Sequence, residues 1–256
     1  SISDLICKGV KPKYYFIAGS GNKKNFTKNN LKKISNSLRE EQKKYDLLLG
    51  GGDTTFSNKL SFTITSIGYS KKIIYRNQSN VNNDIYVTGN LGDSFIGLQV
   101  LKNKIKLNKS KTKYFINKYY MPDIQNKFSK NLLSLATSSM DISDGLIADL
   151  NKLINKQNVS YKIYEKFIPV SRNLNNLINS KNLNKIDLVS NGDDYQILFT
   201  AKPNNARIIN KLSKSLGVKI SKIGTILSGK NKSLILDQKG REIANNVSGY
   251  VHQFWS

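Results

Sequence analysis

The chain has 256 residues, 38% of them hydrophobic, and its 41 Lys and Arg residues against 17 Asp and Glu residues give a formal net charge of +24. It lacks the ~20-residue apolar run of a membrane span, a secretory signal and a second cysteine beside Cys7, so we expect a cytoplasmic protein with no membrane partner and no disulfide. Only five of the basic residues are Arg and the Lys residues are scattered. We therefore expect no nucleic-acid partner, and a basic nucleic-acid-binding protein stays the alternative class.

The spacing of apolar residues predicts the elements of residues 1–82. Leu31, Ile34 and Leu38 follow a helical period with charged residues between them. Phe62 and Ile64 alternate with threonines, as residues of a strand do. In chain order we predict a short helix over 1–12, a strand over 14–17, a helix over 31–45, a buried strand over 47–49 that runs into glycines, and a strand around 62–66.

A polar stretch over 77–83 predicts the boundary between an N-terminal lobe, residues 1–82, and a C-terminal lobe, residues 83–256. Leu146, Leu150 and Leu153 are spaced to form one apolar stripe on a helix. Strands that alternate with helices predict a mixed α/β (α+β) fold. In the second lobe we predict a strand over 85–87, a glycine-rich turn into a helix over 88–101, a helix over 146–154, a strand over 195–200, a helix over 206–216 and a strand over 234–236.

Two acidic residues lie at a turn just before the helix at 146–154. Asp141 and Asp144 are three positions apart, so both carboxylates can face one cation, and Ser143 adds a hydroxyl. Oxygen ligands without His or Cys partners select Mg²⁺, Mn²⁺ or Ca²⁺ over zinc, and the lone His252 provides no imidazole cluster. The pattern indicates a magnesium site that also holds phosphate. The alternative is local hydrogen bonding, since aspartates favour turns and helix starts.

Two further motifs combine glycine with acid. Asp193 and Asp194 follow Gly192, and two adjacent carboxylates at the start of a strand repel one another, which predicts a counter-charge nearby. The glycines at 50–52 precede Asp53, so backbone amides can approach phosphate oxygens and the carboxylate can hold a bridging metal. This run lacks the ending of a Walker loop, and the chain has no dinucleotide-binding fingerprint. By itself the glycine run is weak support for a phosphate site.

Seven short motifs occur in one order along the whole chain. They are Ser3–Leu5 with Gly9 and Pro12; Gly51–Thr55; Arg76; Val87–Gly89 with Leu91–Ser94; Asp141–Leu146; Gly192–Tyr195 with Leu198–Thr200; and Gly249–Tyr250 with His252 and Phe254. Together they resemble the thiamine-monophosphate kinase family, which lies in the superfamily of aminoimidazole ribonucleotide synthetase. Another ATP-using enzyme of that superfamily, such as selenophosphate synthetase, is the nearest alternative.

The resemblance implies a two-lobed fold whose N-terminal lobe pairs in a homodimer. It also implies transfer of the γ-phosphoryl group of ATP onto thiamine monophosphate, with Mg²⁺, to give thiamine diphosphate. By resemblance, Asp144 and Arg76 are the catalytic residues. The resemblance assigns the other roles as follows: metal ligands Asp4, Asp53, Asp141 and Asp144; ATP contacts Gly52, Asp53, Arg76 and Ser143; and contacts to thiamine monophosphate Asp193 and Tyr250.

The sequence departs from the family pattern at several positions. Asp193 replaces the Glu usual in the Gly-Glu-Asp-Tyr motif, Asn191 replaces the Gly usual before it, and no Arg follows the turn at Pro122. The opening segment of the family, which carries an Asp pair, would precede Ser1, so the resemblance implies a truncated N-terminal lobe. We therefore expect the 256-residue chain alone to bind Mg-ATP poorly and to show little kinase activity.

Overall fold

The computed structural model of this chain describes residues 1–243 and residue 249. In its first part, Thr27 begins the long helix, because the Thr27 hydroxyl accepts a hydrogen bond from the N–H of Asn30 at 3.2 Å. Asp46, in the left-handed conformation, ends that helix. The elements of this part are α1 (Ile2–Cys7), β1 (Lys11–Gly21), α2 (Lys28–Tyr45), β2 (Leu48–Phe56) and β3 (Ser61–Tyr69).

The first sheet has one covered face and one exposed face. Its strand order is β2-β1-β3, with β1 parallel to β2 and antiparallel to β3. The helix α2 covers the face that carries Tyr15, and Gln42 of α2 donates a hydrogen bond to the Tyr15 hydroxyl at 3.0 Å. On the opposite face, Phe16, Leu48 and Ile67 keep 40%, 50% and 37% of their surface exposed. Among residues 1–243 and 249, no element covers the apolar side chains of this face.

The prediction of a buried strand over residues 47–49 is wrong in two respects. The strand β2 continues through the glycines instead of ending before them, and Leu48 and Leu49 are each 50% exposed instead of buried. Leu48 is exposed because no described element covers its face of the sheet, and Leu49 is exposed because β2 lies at the edge of the sheet. The glycines serve close packing, because a Cβ at Gly52 would lie 1.9 Å from the carbonyl oxygen of Ile17 in the neighbouring strand.

The second part of the chain holds the larger set of elements. Those from residue 84 to residue 154 are β4 (Asp84–Thr88), α3 (Asp93–Leu101), α4 (Lys109–Tyr120), α5 (Asn126–Leu135), β5 (Ala136–Asp141) and α6 (Leu146–Ile154). Those that follow are β6 (Val159–Tyr164), α7 (Arg172–Lys181), α8 (Lys185–Val189), β7 (Ile197–Ala201), α9 (Ala206–Leu216), β8 (Ile220–Ser228) and β9 (Leu234–Leu236), with short 3₁₀ turns at Glu165–Phe167 and Pro203–Asn205.

These strands form a mixed sheet in the order β5-β7-β4-β8-β6-β9. The pair β6 and β9 is parallel, and the other neighbours are antiparallel. Every residue of β4 and β7 is buried, as expected for inner strands covered on both faces. Leu146, Leu150 and Leu153 of α6 form the predicted apolar stripe and are fully buried in the cluster that packs against this sheet.

The sheets and helices confirm the α/β (α+β) fold class, and α9 and β9 match their predicted ranges. The domain boundary at residue 82 stays a prediction, because one buried cluster contains Tyr15 together with Phe128 and Phe199 from beyond that boundary. Within the described residues, no helix is both long enough and apolar enough to cross a membrane.

Candidate active site at two interlocked turns

Asp141 is the last residue of β5, and Ser143 and Asp144 lie in the turn between β5 and α6, as predicted. Gly145 follows with φ +116°, a backbone conformation that favours glycine. The fully buried carboxylate of Asp149, in α6, points back to this turn. It accepts hydrogen bonds from the N–H groups of Ser143 and Asp144, both at 2.9 Å, and of Gly145 at 3.2 Å. A side chain of the following helix therefore fixes the acidic turn.

The role of Asp149 was not predicted from the sequence. Burial raises the pKa of its carboxyl, whereas the hydrogen bonds from the Asp144 N–H and from Lys152 lower that pKa. The available signal is an acidic residue in the first turn of an apolar helix. Because acids are favoured there by the helix dipole alone, this signal does not distinguish Asp149 from an ordinary helix-start residue.

A second turn, residues 190–195, is hydrogen-bonded to the first. The N–H of Asp193 donates to the carbonyl oxygen of Ser143 at 2.9 Å. The N–H of Tyr195 donates to the carbonyl oxygen of Ile142 at 2.8 Å. These two bonds align the segment around Asp193 with the segment that leads to Asp144, and the two carboxylates are close enough for the charge of Asp144 to raise the pKa of Asp193.

Glycines allow the two turns to approach closely. A Cβ at Gly145 would lie 2.2 Å from the carbonyl oxygen of Ser190 in the second turn. A Cβ at Gly192 would lie 2.2 Å from the carbonyl oxygen of Ser143 in the first turn. Both glycines also have positive φ, so side chains there would strain the backbone as well as collide with it. We call this pair of segments the interlocked turns.

The adjacent carboxylates of Asp193 and Asp194 have different environments. Burial is the main cause that raises the pKa of Asp193, and the Tyr195 hydroxyl donates to this carboxylate at 3.3 Å. Asp194 is buried and accepts a hydrogen bond at 2.8 Å from the N–H of Gly92, at the start of α3. Burial raises the pKa of Asp194 to about 8. The prediction of a counter-charge is therefore corrected for Asp194, because a helix start and protonation offset its charge.

Lys152 places a positive charge beside the first turn. Its ammonium group forms ion pairs with the carboxylates of Asp144 and, at 3.1 Å, Asp149. Burial by itself would lower the pKa of Lys152, but the hydrogen bonds and charges of these two carboxylates outweigh burial and raise it. The side chains of Lys152 and Asp144 are both part-exposed. The pair therefore borders on solvent, where a substrate can reach it.

Asp141 faces α1 and the residues that follow it. Burial raises the pKa of Asp141, the Ser3 hydroxyl lowers it, and the nearby charge of Asp4 raises it further. Asp4 itself is exposed on α1. Burial lowers the pKa of Lys8 at the end of α1, and the charge of Arg76 contributes to that shift. The structure thus brings Asp4, Asp141 and Arg76 into one neighbourhood.

Gly52 and Asp53 lie apart from these turns, in β2 of the first sheet. The Asp53 side chain is exposed and accepts a hydrogen bond at 2.7 Å from the N–H of the next residue, Thr54. In residues 1–243 and 249, no group of three or more His, Cys, Asp or Glu side chains is arranged to hold a metal ion. The structure therefore pairs predicted ligands without gathering all four, and their metal role stays a prediction.

Tyr250 lies outside the described residues, as do His252 and Phe254. Gly249 is described and has φ +83°. A Cβ at Gly249 would lie 2.4 Å from the Cβ of Ala148 and 3.0 Å from the carbonyl oxygen of Asp144. Gly249 therefore packs against the first of the interlocked turns.

The family model described as AIR synthase related protein, C-terminal domain, matches residues 80–237 of this chain. This range is more than half of the chain and contains the whole six-stranded sheet and both interlocked turns. The fold and the site thus define the class, the AIR synthase related proteins.

Curated relatives narrow that class. Thiamine-monophosphate kinase of Buchnera aphidicola subsp. Schizaphis graminum is 33% identical, over 98% of this chain and 77% of its own length. The enzyme of Buchnera aphidicola subsp. Acyrthosiphon pisum is 32% identical, over 94% of this chain and 76% of its own length. The chain therefore belongs to the thiamine-monophosphate kinase family. A solved structure, AaThiL complexed with AMPPCP and TMP, is similar in fold, with a TM-score of 0.83 and 22% identity over 98% of this chain and 77% of that chain.

Proposed function

We propose that this protein transfers the γ-phosphoryl group of ATP to the phosphate of thiamine monophosphate, giving ADP and thiamine diphosphate. The observation that carries the proposal is the pair of interlocked turns, which brings Asp144, Asp193 and Lys152 together in a member of this kinase family. The relatives bear the name thiamine-monophosphate kinase, and the similar structure holds AMPPCP and TMP. Those names support the same two substrates for this chain.

The donor atoms of the site fit Mg²⁺. The predicted ligands supply carboxylate oxygens, and Ser143 adds a hydroxyl, without His or Cys. In phosphate-transfer sites, Mg²⁺ is held by one or two carboxylates together with substrate oxygens and waters. Asp141 with Asp4, and Asp144 near Asp193, are pairs of that size. When bound, Mg²⁺ would be held by these carboxylates and would offset the negative charge of the phosphates.

The residues of the chain position two anionic reactants. An oxygen of the thiamine monophosphate phosphate attacks the γ-phosphorus while the bond to the β-phosphate oxygen breaks, so no protein nucleophile is needed. Positive charge must offset the repulsion of the phosphates, and Arg76, which is exposed, and Lys152 can supply it. The thiazolium ring of thiamine is cationic, and the half-buried carboxylate of Asp193 can attract it. Tyr250 is proposed to contact the thiamine rings.

The exposed face of the first sheet supports a homodimer. Phe16, Leu48 and Ile67 present apolar side chains there that are covered by no element among residues 1–243. Exposed apolar faces of this kind are typical of protein interfaces. We assign this face to contact with a second copy of the chain, and Asp53 on the same sheet then lies near the dimer interface.

A product assay tests the proposed function. The complete gene product is incubated with ATP, Mg²⁺ and thiamine monophosphate, and thiamine diphosphate is measured by chromatography after oxidation to its fluorescent thiochrome. We expect ADP and thiamine diphosphate in equal amounts. Thiamine without its phosphate, and selenide, serve as control acceptors and should give no ADP. Selenide-dependent formation of selenophosphate from ATP, together with no thiamine diphosphate, would instead establish the selenophosphate synthetase alternative.

A further inference from the structure

The ion pair between Lys152 and Asp144 occupies a carboxylate that the proposed reaction needs. We propose that Lys152 is a positioning residue that holds Asp144 until Mg²⁺ arrives together with the phosphates of ATP. The nucleotide-free enzyme would then leave Asp144 paired with Lys152 instead of with a free metal ion. This inference rests on the proposed function, because it requires Asp144 to be a metal ligand.

Lys152 has two anchors, and only one of them is a predicted metal ligand. Its ammonium group donates to Asp149 at 3.1 Å as well as to Asp144. Asp149 is fully buried, and the three N–H groups of the first turn hold its other oxygen. When Asp144 turns to a metal, Lys152 loses one partner and keeps the other. The ammonium then stays in the site with donors free for a phosphate oxygen.

The charge balance around Lys152 explains why metal and phosphate should enter together. The charged groups that act on its ammonium are the carboxylates of Asp144 and Asp149, and Asp193 lies close to Asp144. A bare divalent cation would have to displace the ammonium and remain beside it, and repulsion between the two cations opposes this. Nucleotide phosphates bring negative charge that attracts both cations, so the repulsion is offset.

Metal binding in the absence of nucleotide tests the inference. Mn²⁺ is titrated into the complete gene product without ATP or thiamine monophosphate, and free Mn²⁺ is followed by electron paramagnetic resonance. We expect Lys152→Met, which keeps most of the side-chain length and removes the charge, to bind Mn²⁺ at least ~10-fold more tightly than the wild type. Lys152→Arg keeps the charge and should bind like the wild type. Lys156→Met, at an exposed lysine four positions further along, is the matched control and should also be unchanged.

The double variant Lys152→Met with Asp144→Asn should lose the gain in Mn²⁺ affinity. That loss would show that the gain depends on the carboxylate of Asp144. The inference is overturned if Lys152→Met binds Mn²⁺ no more tightly than the wild type, or if the double variant keeps the gain. If Lys152→Met does not fold, Mn²⁺ binding to the wild type tests the inference. Tight, saturable Mn²⁺ binding to the wild type without nucleotide overturns the inference, and binding that requires a non-hydrolysable ATP analogue supports it. The Mn²⁺ titration contains no substrate, so it tests the role of Lys152 separately from the reaction. If Lys152→Met gains Mn²⁺ affinity as expected but the wild type forms no thiamine diphosphate, the proposed reaction is wrong and the role of Lys152 is not contradicted.

Discussion

The acidic residues of the first sheet and those of the interlocked turns differ in how firmly the fold holds them. Asp53 lies on an exposed edge strand and is hydrogen-bonded to the N–H of the adjacent residue. Asp144 lies in a turn that Asp149 holds through three N–H groups, that Asp193 joins through its own N–H, and that Lys152 contacts. Contacts within the chain therefore hold the interlocked turns in place without a ligand. Asp53 has no comparable set of contacts among the described residues.

The largest expected effect is a loss of catalysis when the interlocked turns lose the charge of Asp144. Asp144→Asn preserves the shape of the side chain and removes its charge, so we expect kcat to fall by ~10³-fold with the fold intact. Steady-state kinetics with thiamine monophosphate, and circular dichroism for the fold, measure these two quantities. Glu40→Gln on the exposed surface of α2 is the matched control and should keep full activity. Activity of Asp144→Asn close to that of the wild type would exclude the proposed metal-ligand role.

The second prediction removes the side chain that holds the first turn. Asp149→Ala leaves three turn N–H groups without their acceptor, so we expect the free energy of unfolding to fall by ~3 kcal/mol. Urea denaturation followed by fluorescence measures this change. Glu40→Ala, which removes an exposed carboxylate, should change the free energy of unfolding little. If Asp149→Ala were equally neutral, the turn would not depend on this carboxylate, and the contrast between the two regions would disappear.

The third prediction concerns the exposed face of the first sheet. Leu48→Ser removes an apolar side chain from the proposed interface, so we expect the dimer dissociation constant to rise by ~10-fold, or ~1.4 kcal/mol. Analytical ultracentrifugation over a concentration series measures this constant. Ile208→Ser, at a position 52% exposed on α9, is the matched control and should leave the dimer unchanged. Equal effects of both substitutions would show that the sheet face is not the interface.

The last prediction is a pH dependence centred on Asp194. Its pKa in the folded protein, about 8, lies above the ordinary value of 3.8, so between these values the folded state holds a proton that the unfolded state has lost. The free energy of unfolding should therefore decrease as pH rises, by ~1 kcal/mol per pH unit from this group. Asp194→Asn should flatten that slope between pH 5 and pH 8. Asp46→Asn, at an exposed carboxyl whose pKa is lowered beside Lys11, should leave the slope as in the wild type.

Local patterns predicted six of the thirteen helices and strands between residues 84 and 236, namely β4, α3, α6, β7, α9 and β9. The apolar stripe of α6 and the turn before it follow directly from residue spacing, and α9 and β9 have the predicted bounds. The helix α7 was not predicted, because its sequence is rich in Asn, which has a low helix propensity. Its start depends on Ser171, whose hydroxyl accepts a hydrogen bond from the N–H of Leu174 at 3.0 Å.

Burial and long-range contacts could not be predicted from local patterns. Residues 47–49 are apolar, and apolar runs beside glycine usually indicate a buried strand. The exposure of β2 depends on its edge position and on the uncovered face of the sheet, which are properties of the whole sheet. The same reason explains why the site was predicted only in part. The pattern indicated that Asp141 and Asp144 lie at a turn, but the contact of that turn with residues 190–195 spans about fifty residues and becomes visible only in the fold.

The interlocked turns also constrain how this enzyme could be re-engineered. Gly145 and Gly192 each lie against the backbone of the other turn, so a substitution at either position displaces both segments at once. Random single substitutions at these glycines would therefore be lost early in a directed-evolution library, whatever substrate is selected. Transplanting both turns together from a homologue preserves the complementary surfaces, whereas a chimaera with one turn from each parent does not. The two turns are far apart in sequence, but they have to be exchanged together when the active site is altered.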